Sequence, residues 1–164
     1  MITSDQLFTV TVMSLSELCN KNVVTISAED TMLYACKLLR NEHVGCLIVT
    51  DLYEGNSQPI GIITDRDVVV KVIAPEVNIS KVLVKDVMDS KFISANINDD
   101  IHVALNLMRK HGIRRIPLIN DSGCLEGIVT IDDLFSYLSD ELNKLTRAIY
   151  MEQSREKIIR SKIA

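Results

Sequence analysis

The chain has 164 residues, of which 47% are apolar and 4% aromatic, and its formal net charge is −4 at pH 7. This length fits one compact domain or two small ones around a shared core. The acidic balance gives no general attraction for nucleic acid or an anionic membrane, and no apolar run reaches the roughly 20 residues of a membrane span. We therefore expect neither a nucleic-acid-binding protein nor a membrane protein.

The N-terminal segment, residues 1–12, carries a weak strand alternation at Phe8, Val10 and Val12, and we treat it as an extension. It lacks the basic and apolar regions of a secretory signal. The cysteines form no C-x-x-C pair, which favours buried reduced thiols over a zinc site. We expect a cytoplasmic protein without a bound metal. The four cysteines are Cys19, Cys36, Cys46 and Cys124.

Residues 13–74 read as a β-α-β-β-α unit, because short apolar stretches alternate with segments of helical spacing. A polar group at 27–30 resembles a helix N-cap. The turn before the last strand, at 51–59, reads as a long loop. The predicted elements are a strand at Val23–Ile26, a helix burying Met32, Ala35, Leu38 and Leu39, strands at Cys46–Val49 and Gly61–Thr64, and a helix over Val68–Val72.

Residues 84–142 repeat this unit after a connector at 75–83 that contains Pro75. Leu15–Thr50 aligns with Val84–Ile119, and Gly61–Asp67 aligns with Gly127–Asp133. One unit cannot cover its own sheet, so we expect an α/β (α+β) fold in which two units pack face to face. The predicted elements are a strand at Phe92–Ser94, a helix burying Ile101, Ala104, Leu105 and Met108, strands at Ile116–Ile119 and Gly127–Thr130, and a helix over Leu134–Leu138.

The C-terminal segment, residues 143–164, reads as a charged amphipathic helix that begins near Glu141. Leu142, Leu145 and Ile149 form its apolar stripe. This helix either docks on its own domain or contacts a second copy or another partner.

A repeated motif, Gly-hydrophobic-hydrophobic-Thr-x-x-Asp, ends with Thr64 and Asp67 in the first unit and with Thr130 and Asp133 in the second. The glycine is expected to open the strand where backbone or ligand approaches closely. Each aspartate offers two acceptor oxygens to a ribose cis-diol, and the free N–H groups of the helix end favour a nearby phosphate. The same spacing also forms a plain capping box, and both roles can hold together.

Three arginines are candidate phosphate ligands: Arg66 at a predicted helix start, and Arg114 and Arg115 at a predicted strand start. Guanidinium groups bind phosphate in a bidentate manner, although a solvated basic turn explains Arg114 and Arg115 equally well. Successive strand residues face opposite sides, so one of this pair should face a cleft and the other should not. The equivalent positions Gly45 and Cys46 carry no charge, so two clefts could not be chemically equal.

The sequence shows no catalytic constellation. His43, His102 and His111 have no acidic or cysteine partner at metal-ligand or triad spacing. A nucleophile elbow, a Walker loop and a dinucleotide glycine motif are also absent from the sequence. We therefore expect a protein that is not an enzyme.

The two units, closing on GIITDRD and GIVTIDD, resemble a tandem pair of CBS domains, or Bateman module, of the small free-standing prokaryotic type. The resemblance covers about residues 13–142. It implies a pseudo-twofold axis between the units, two clefts that bind AMP, ADP, ATP, NAD or S-adenosylmethionine, and association into a homodimer. It assigns ribose to Thr64, Asp67, Thr130 and Asp133, phosphate to Arg66, Arg114 and Arg115, and adenine to Val23, Val24, Phe92 and Ile93.

Three functions follow as hypotheses. The first is a regulatory module that binds an adenosine nucleotide and senses energy or metabolite state for an unknown partner protein. The second is an interaction scaffold with empty clefts that acts through its C-terminal helix. The third, an enzyme, would need a reactive group that the sequence does not show.

Overall fold

The computed structural model describes residues 13–53 and 55–163, so the predicted N-terminal extension lies outside the described residues. Two β-α-β-β-α units form, each around a three-stranded sheet. The first unit contains β1 (Thr25–Ser27), α2 (Met32–Asn41), β2 (Cys46–Tyr53), β3 (Asn56–Thr64) and the short helix α3 (Asp65–Asp67), preceded by α1 (Leu15–Leu18). The second contains β4 (Ala95–Asn96), α4 (Ile101–His111), β5 (Arg115–Ile119), β6 (Leu125–Thr130) and α5 (Ile131–Ile163).

Both sheets have the same mixed topology. In each unit the first strand runs parallel to the second, and the second pairs antiparallel with the third. Cys46 pairs with Thr64 at the start of β2, and Arg115 pairs with Thr130 at the start of β5. The repeat seen in the sequence is therefore a repeat in three dimensions.

The prediction of a long loop at 51–59 is wrong, because most of this segment is paired in a β-hairpin. β2 and β3 continue past a bulge between Val49 and Thr50, and Asp51 pairs with Gln58. Gly55 has a φ of 80° in the turn that joins them, a conformation that glycine adopts without strain. The extra residues of the first unit thus lengthen a β-hairpin.

The first strand of each unit begins later than predicted. Val23 and Val24 precede β1, and Phe92 and Ile93 precede β4, so these four residues lie outside the strands. The predicted caps are also displaced: Thr31 caps α2 through the Tyr34 amide, and Asp100 caps α4. The polar group at 27–30, and its counterpart at 96–99 in the second unit, which the repeat predicts as a cap as well, form turns instead. Asp30 and Asp99 accept from the amides of Ser27 and Asn96.

The helix predicted over Val68–Val72 is π-helical at Val68–Ile73, directly after the single α-turn of α3. Val68, Val69 and Val70 are β-branched, which slightly lowers the propensity for an α-helix here. Its buried residues are Val68 and Val72.

Each hydrophobic core contains residues from the segment that precedes the first strand of the other unit, an arrangement that we call the exchange of leading segments. The core of the first unit includes Val84 and Val87, from the start of the predicted second unit. The core of the second unit includes Leu15 from α1, with Leu18 packed against it. Leu15 and Val84 are both fully buried. Packing therefore crosses the predicted domain boundaries, which follow the repeat in sequence.

Gly61 and Gly127 lie inside β3 and β6 and do not open these strands, contrary to the prediction. Both a side chain and the backbone approach each glycine closely. A Cβ atom at Gly61 would lie 2.7 Å from Met88 Sδ and 3.1 Å from the Asp89 carbonyl oxygen. One at Gly127 would lie 2.9 Å from Cys19 Sγ and 3.2 Å from the Asn20 carbonyl oxygen. Isolated β-bridges follow at Ile62–Asp89 and Asn20–Ile128, and they join each unit to the segment that leads into the other.

Helix α5 is continuous over Ile131–Ile163, so the tail predicted at 143–164 extends the last helix of the second unit. The alternative in which this tail docks on its own domain is wrong. Leu142 and Leu145 are each 64% exposed, and residues 142–159 are exposed throughout.

Candidate functional site

Two clefts lie between the units. The first cleft has a volume of about 350 Å³ and is built from both halves of the chain. The end of β3 and the start of α3 line one side, and the segment before β4 and the start of β5 line the other. Seven predicted site residues line it: Thr64, Arg66, Asp67, Phe92, Ile93, Arg114 and Arg115.

The second cleft is smaller, about 200 Å³, and has the same construction with the units exchanged. The end of β6 and the start of α5 face the segment before β1 and the start of β2. The other four predicted site residues line it: Val23, Val24, Thr130 and Asp133. Arg115 lines this cleft as well.

The two arginines do not separate as predicted. Arg114 and Arg115 both line the first cleft, so the expectation that one of them would face away is wrong. Arg115 opens the strand and Arg114 precedes it, so strict strand alternation does not govern the pair. Arg114 is exposed and Arg115 is half-buried.

Asp67 holds a fixed position at the mouth of the first cleft. Its Oδ2 accepts hydrogen bonds from the Thr64 backbone N–H at 3.0 Å and the Thr64 hydroxyl at 2.5 Å, and the Asp67 amide donates to the same hydroxyl oxygen at 3.2 Å. Its Oδ1 forms an ion pair with Lys71 Nζ at 2.8 Å. The capping box of the motif therefore forms, and it also orients the carboxylate.

Asp133 repeats this geometry in the second cleft, with some differences. Its Oδ2 accepts from the Thr130 amide and hydroxyl, both at 2.7 Å. The position equivalent to Lys71 is Tyr137, so Asp133 has no matching cation on its own helix. The first cleft is also lined by Arg66, whose counterpart in the second unit is Asp132.

Comparison with known proteins decides the family. The model of the CBS domain matches residues 15–74 and again residues 84–140. The chain belongs to the CBS-domain family. The CBS domain-containing protein YhcV of Bacillus subtilis is 31% identical over 121 residues, which cover 74% of this chain and 82% of YhcV. Some relatives are longer: a Methanopyrus kandleri protein is 33% identical, and the matched region spans 60% of its length.

Solved CBS structures share the fold. The hexameric CBS-CP12 protein of bloom-forming cyanobacteria is 30% identical with a TM-score of 0.68, over 76% of this chain and 67% of that chain. The CBS domain protein PAE2072 of Pyrobaculum aerophilum, solved in complex with AMP, is 25% identical with a TM-score of 0.68. That match covers 74% of this chain and 90% of PAE2072.

The sequence analysis did not predict Lys71, Lys91 or the part of the first cleft's apolar wall that lies beyond Phe92 and Ile93. Lys91 lines the cleft just before Phe92, and Ile62, Ile113 and Pro117 line it too. The Asp67–Lys71 pair has i,i+4 spacing, which could have revealed it. A lone lysine such as Lys91 has no spacing that marks it, because its place depends on the crossing of the two units.

Other surfaces of this CBS pair fit the motif chemistry less well. A groove of about 720 Å³ runs between α1 and α5 and is lined by four carboxylates and two cations, a net negative set less suited to phosphate than the first cleft. The charged residues are Glu17, Asp133, Asp140, Glu141, Lys144 and Arg147. In the described part of the chain, no three His, Cys, Asp or Glu residues cluster as a metal site. Among residues 13–53 and 55–163, no helix has the length and low charge that a bilayer crossing requires.

The environment of Asp67 shifts its pKa in two directions. Burial raises the pKa, but hydrogen bonds from Lys71 and Thr64 outweigh burial and hold the pKa below its usual value of 3.8. A carboxyl group whose pKa is lowered by folding stabilises the native state above its unfolded pKa. That stabilisation is lost as the pH falls through the lower, native pKa.

We predict that Asp67→Asn lowers the free energy of unfolding at neutral pH, and that the difference from wild type shrinks once the pH falls below 3.8. Urea unfolding of both proteins from about pH 7 to about pH 3 measures this difference. A difference that stays constant over this range would mean that the ionised carboxylate does not stabilise the fold.

Proposed function

We propose that this CBS pair binds an adenosine nucleotide (AMP, ADP, ATP or NAD) between its units, and acts as a non-catalytic sensor of energy or metabolite state. The observation that carries the proposal is the convergence in one cleft of an oriented carboxylate, three arginines and an apolar wall. These groups match ribose, phosphate and adenine, respectively. Only the crossing of the two units brings them together.

The proposed roles follow from chemistry and position. Asp67 and Thr64 bind the ribose hydroxyls, because Asp67 Oδ1 keeps one acceptor site beside its Lys71 ion pair and the Thr64 hydroxyl oxygen keeps one lone pair, whereas Oδ2 already accepts two bonds. Arg66, Arg114 and Arg115 bind phosphate. Among the described residues, Arg66, Arg114 and Arg115 form no ion pair with a carboxylate.

Adenine would lie against Phe92 and Ile93, which are half-buried and lie outside the strands, leaving backbone groups available to the base edge. Thr130, Asp133, Val23 and Val24 have the corresponding roles in the second cleft. Binding of AMP by PAE2072, a protein of the same fold, supports a nucleotide of this class. We place the protein in the cytoplasm, where its four free thiols stay reduced.

Thermal unfolding with each nucleotide tests the proposal. A ligand at a hundredfold its dissociation constant adds about 2.7 kcal/mol of stability, a rise in Tm of roughly 5–10 °C for a chain of this size. We expect such a rise with at least one of AMP, ADP, ATP and NAD. Inorganic phosphate at the same concentration is the control. Absence of any shift at millimolar nucleotide would contradict the proposal.

The sensor is proposed to act as a homodimer. Val69 and Phe135 occupy equivalent positions after the two Thr-x-x-Asp motifs and are 57% and 61% exposed. Two equivalent apolar patches related by a pseudo-twofold axis suit an isologous interface. The hexameric CBS-CP12 protein shows that a CBS protein of similar sequence assembles into oligomers. Sedimentation equilibrium measures the oligomeric state directly.

A second candidate function, protein interaction through α5, is favoured by the exposed stripe at Leu142, Leu145 and Ile149. The same exposed stripe also suits the contact between a nucleotide sensor and its regulated partner. A scaffold with empty clefts predicts that no nucleotide changes the Tm and that deletion of 143–164 abolishes partner binding. The sensor predicts that the deletion leaves the nucleotide-dependent Tm shift intact.

A further inference from the structure

We propose that Arg115 is shared by the two clefts, so that a phosphorylated nucleotide in the first cleft weakens binding of a second one in the other. This inference rests on the proposed function. It concerns how the two sites are coupled within one chain and therefore how many anionic ligands the chain holds.

The position of Arg115 carries the inference. This half-buried residue begins β5, pairs with Thr130 of the second cleft, and lines both clefts. Its guanidinium Nη2 lies 3.1 Å from the point that a Cβ atom at Gly45 would occupy. Gly45 and Cys46 belong to the wall of the second cleft. The side chain of Arg115 therefore extends from the start of β5, which lines the first cleft, to Gly45 in the wall of the second cleft.

The charges of the two clefts are unequal. The first cleft is lined by four cations, Arg115 together with Arg66, Lys91 and Arg114, and by three carboxylates, those of Asp65, Asp67 and Asp89. Among the described residues that line the second cleft, Arg115 is the single cation, since Asn22 stands at the position of Lys91 and Gly45 at that of Arg114. Asp133 adds a negative charge there.

Competition for this guanidinium follows from its geometry. A planar guanidinium binds one phosphate in a bidentate manner and cannot present the same pair of N–H groups to two sites at once. A phosphate in the first cleft engages Arg115 together with three other cations. The second cleft is then left with the Asp133 carboxylate and no cation directed towards it. Because coupling between sites is reciprocal, AMP bound in either cleft lowers the affinity of the other cleft for AMP. Adenosine has no phosphate to engage Arg115, so its binding is not coupled in this way.

Calorimetric titration with AMP and with adenosine tests the sharing, with Asp133→Asn and Asp67→Asn backgrounds isolating the first and second clefts. In each background the substituted cleft keeps its shape but loses the ribose carboxylate. We expect Arg115→Met to lower AMP affinity about tenfold in both backgrounds, the effect of losing one charge-assisted contact. Arg114→Met should lower it only in Asp133→Asn, and adenosine binding should change less than twofold with either methionine variant.

A gain of function completes the test. Cys46 is the counterpart of Arg115, since each begins its strand opposite the motif threonine. Wild type should bind one AMP per chain, with any second AMP at least about tenfold weaker. Cys46→Arg gives the second cleft its own cation and should raise the stoichiometry to two, whereas Cys46→Met should not.

Two equal, independent AMP sites in wild type, or an effect of Arg115→Met in one background only, would overturn the sharing. Binding of neither AMP nor adenosine would contradict the proposed function itself. If Cys46→Arg does not fold, as judged by its thermal unfolding, the Arg115→Met pair decides alone.

Discussion

Asp67→Asn is expected to weaken AMP binding in the first cleft by about 100-fold while leaving the chain folded. Lys71 and Thr64 already orient the carboxylate, so a ribose hydroxyl meets a preorganised acceptor at Oδ1, while Oδ2 accepts two bonds from Thr64. The amide keeps one acceptor and replaces the other with donors, which face the ribose hydroxyls unfavourably. A hydrogen bond to a charged group contributes about 1.5–3 kcal/mol, and about 2.7 kcal/mol corresponds to 100-fold in affinity. Isothermal calorimetry measures the change.

Asp65→Asn is the matched control, because it makes the same chemical change two residues away in the same cleft. Asp65 is exposed and accepts only from the adjacent Arg66 amide in the described structure. Removing its charge should leave AMP affinity unchanged or raise it, since an anionic ligand is repelled less. Equal weakening by both substitutions would show that ribose recognition is not specific to Asp67. No weakening by Asp67→Asn would reduce this residue to a helix cap.

Much of the fold and of the two clefts could be predicted from the sequence, because these features depend on the spacing of residues that are close in sequence. The buried faces of α2 and α4 follow helical periodicity at Met32, Ala35, Ile101 and Ala104, all of which are buried. The Thr-x-x-Asp motifs form their capping boxes because the interacting groups are three residues apart. The placement of all eleven predicted site residues in two clefts follows from the same repeat together with the family resemblance.

What could not be predicted depends on contacts between distant residues. The exchange of Leu15 and Val84 between the cores leaves no local pattern, because each residue is one apolar position among many. Lys91 enters the first cleft only because its segment crosses onto β3 through the Ile62–Asp89 bridge. The continuity of α5 was hidden because its first two turns pack on the second unit and the rest is solvated, which gave two amphipathic patterns in one helix.

Leu15→Ala is expected to destabilise the chain by about 2–5 kcal/mol, the range for truncating a fully buried leucine, and to lower the Tm by roughly 10 °C. Leu15 has no exposed surface and belongs to the core that contains Ile116, Leu118 and Val129. Leu52→Ala is the matched control, since the same truncation at a leucine that is 78% exposed should cost less than about 0.5 kcal/mol. Thermal and urea unfolding measure both effects.

Hydrogen exchange then shows where the stability is lost. Leu15 lies next to the first unit in sequence, yet its truncation should reduce amide protection first in β5 and β6 of the second unit. Val84→Ala should do the reverse and reduce protection first in β2 and β3. Loss confined to the unit adjacent in sequence would contradict the exchange. Each exchanged segment also contributes to a cleft wall: the one after Leu15 through Asn20 in the second cleft, and the one after Val84 through Asp89 in the first cleft. The exchange therefore links the stability of each unit to the shape of a cleft that both units form.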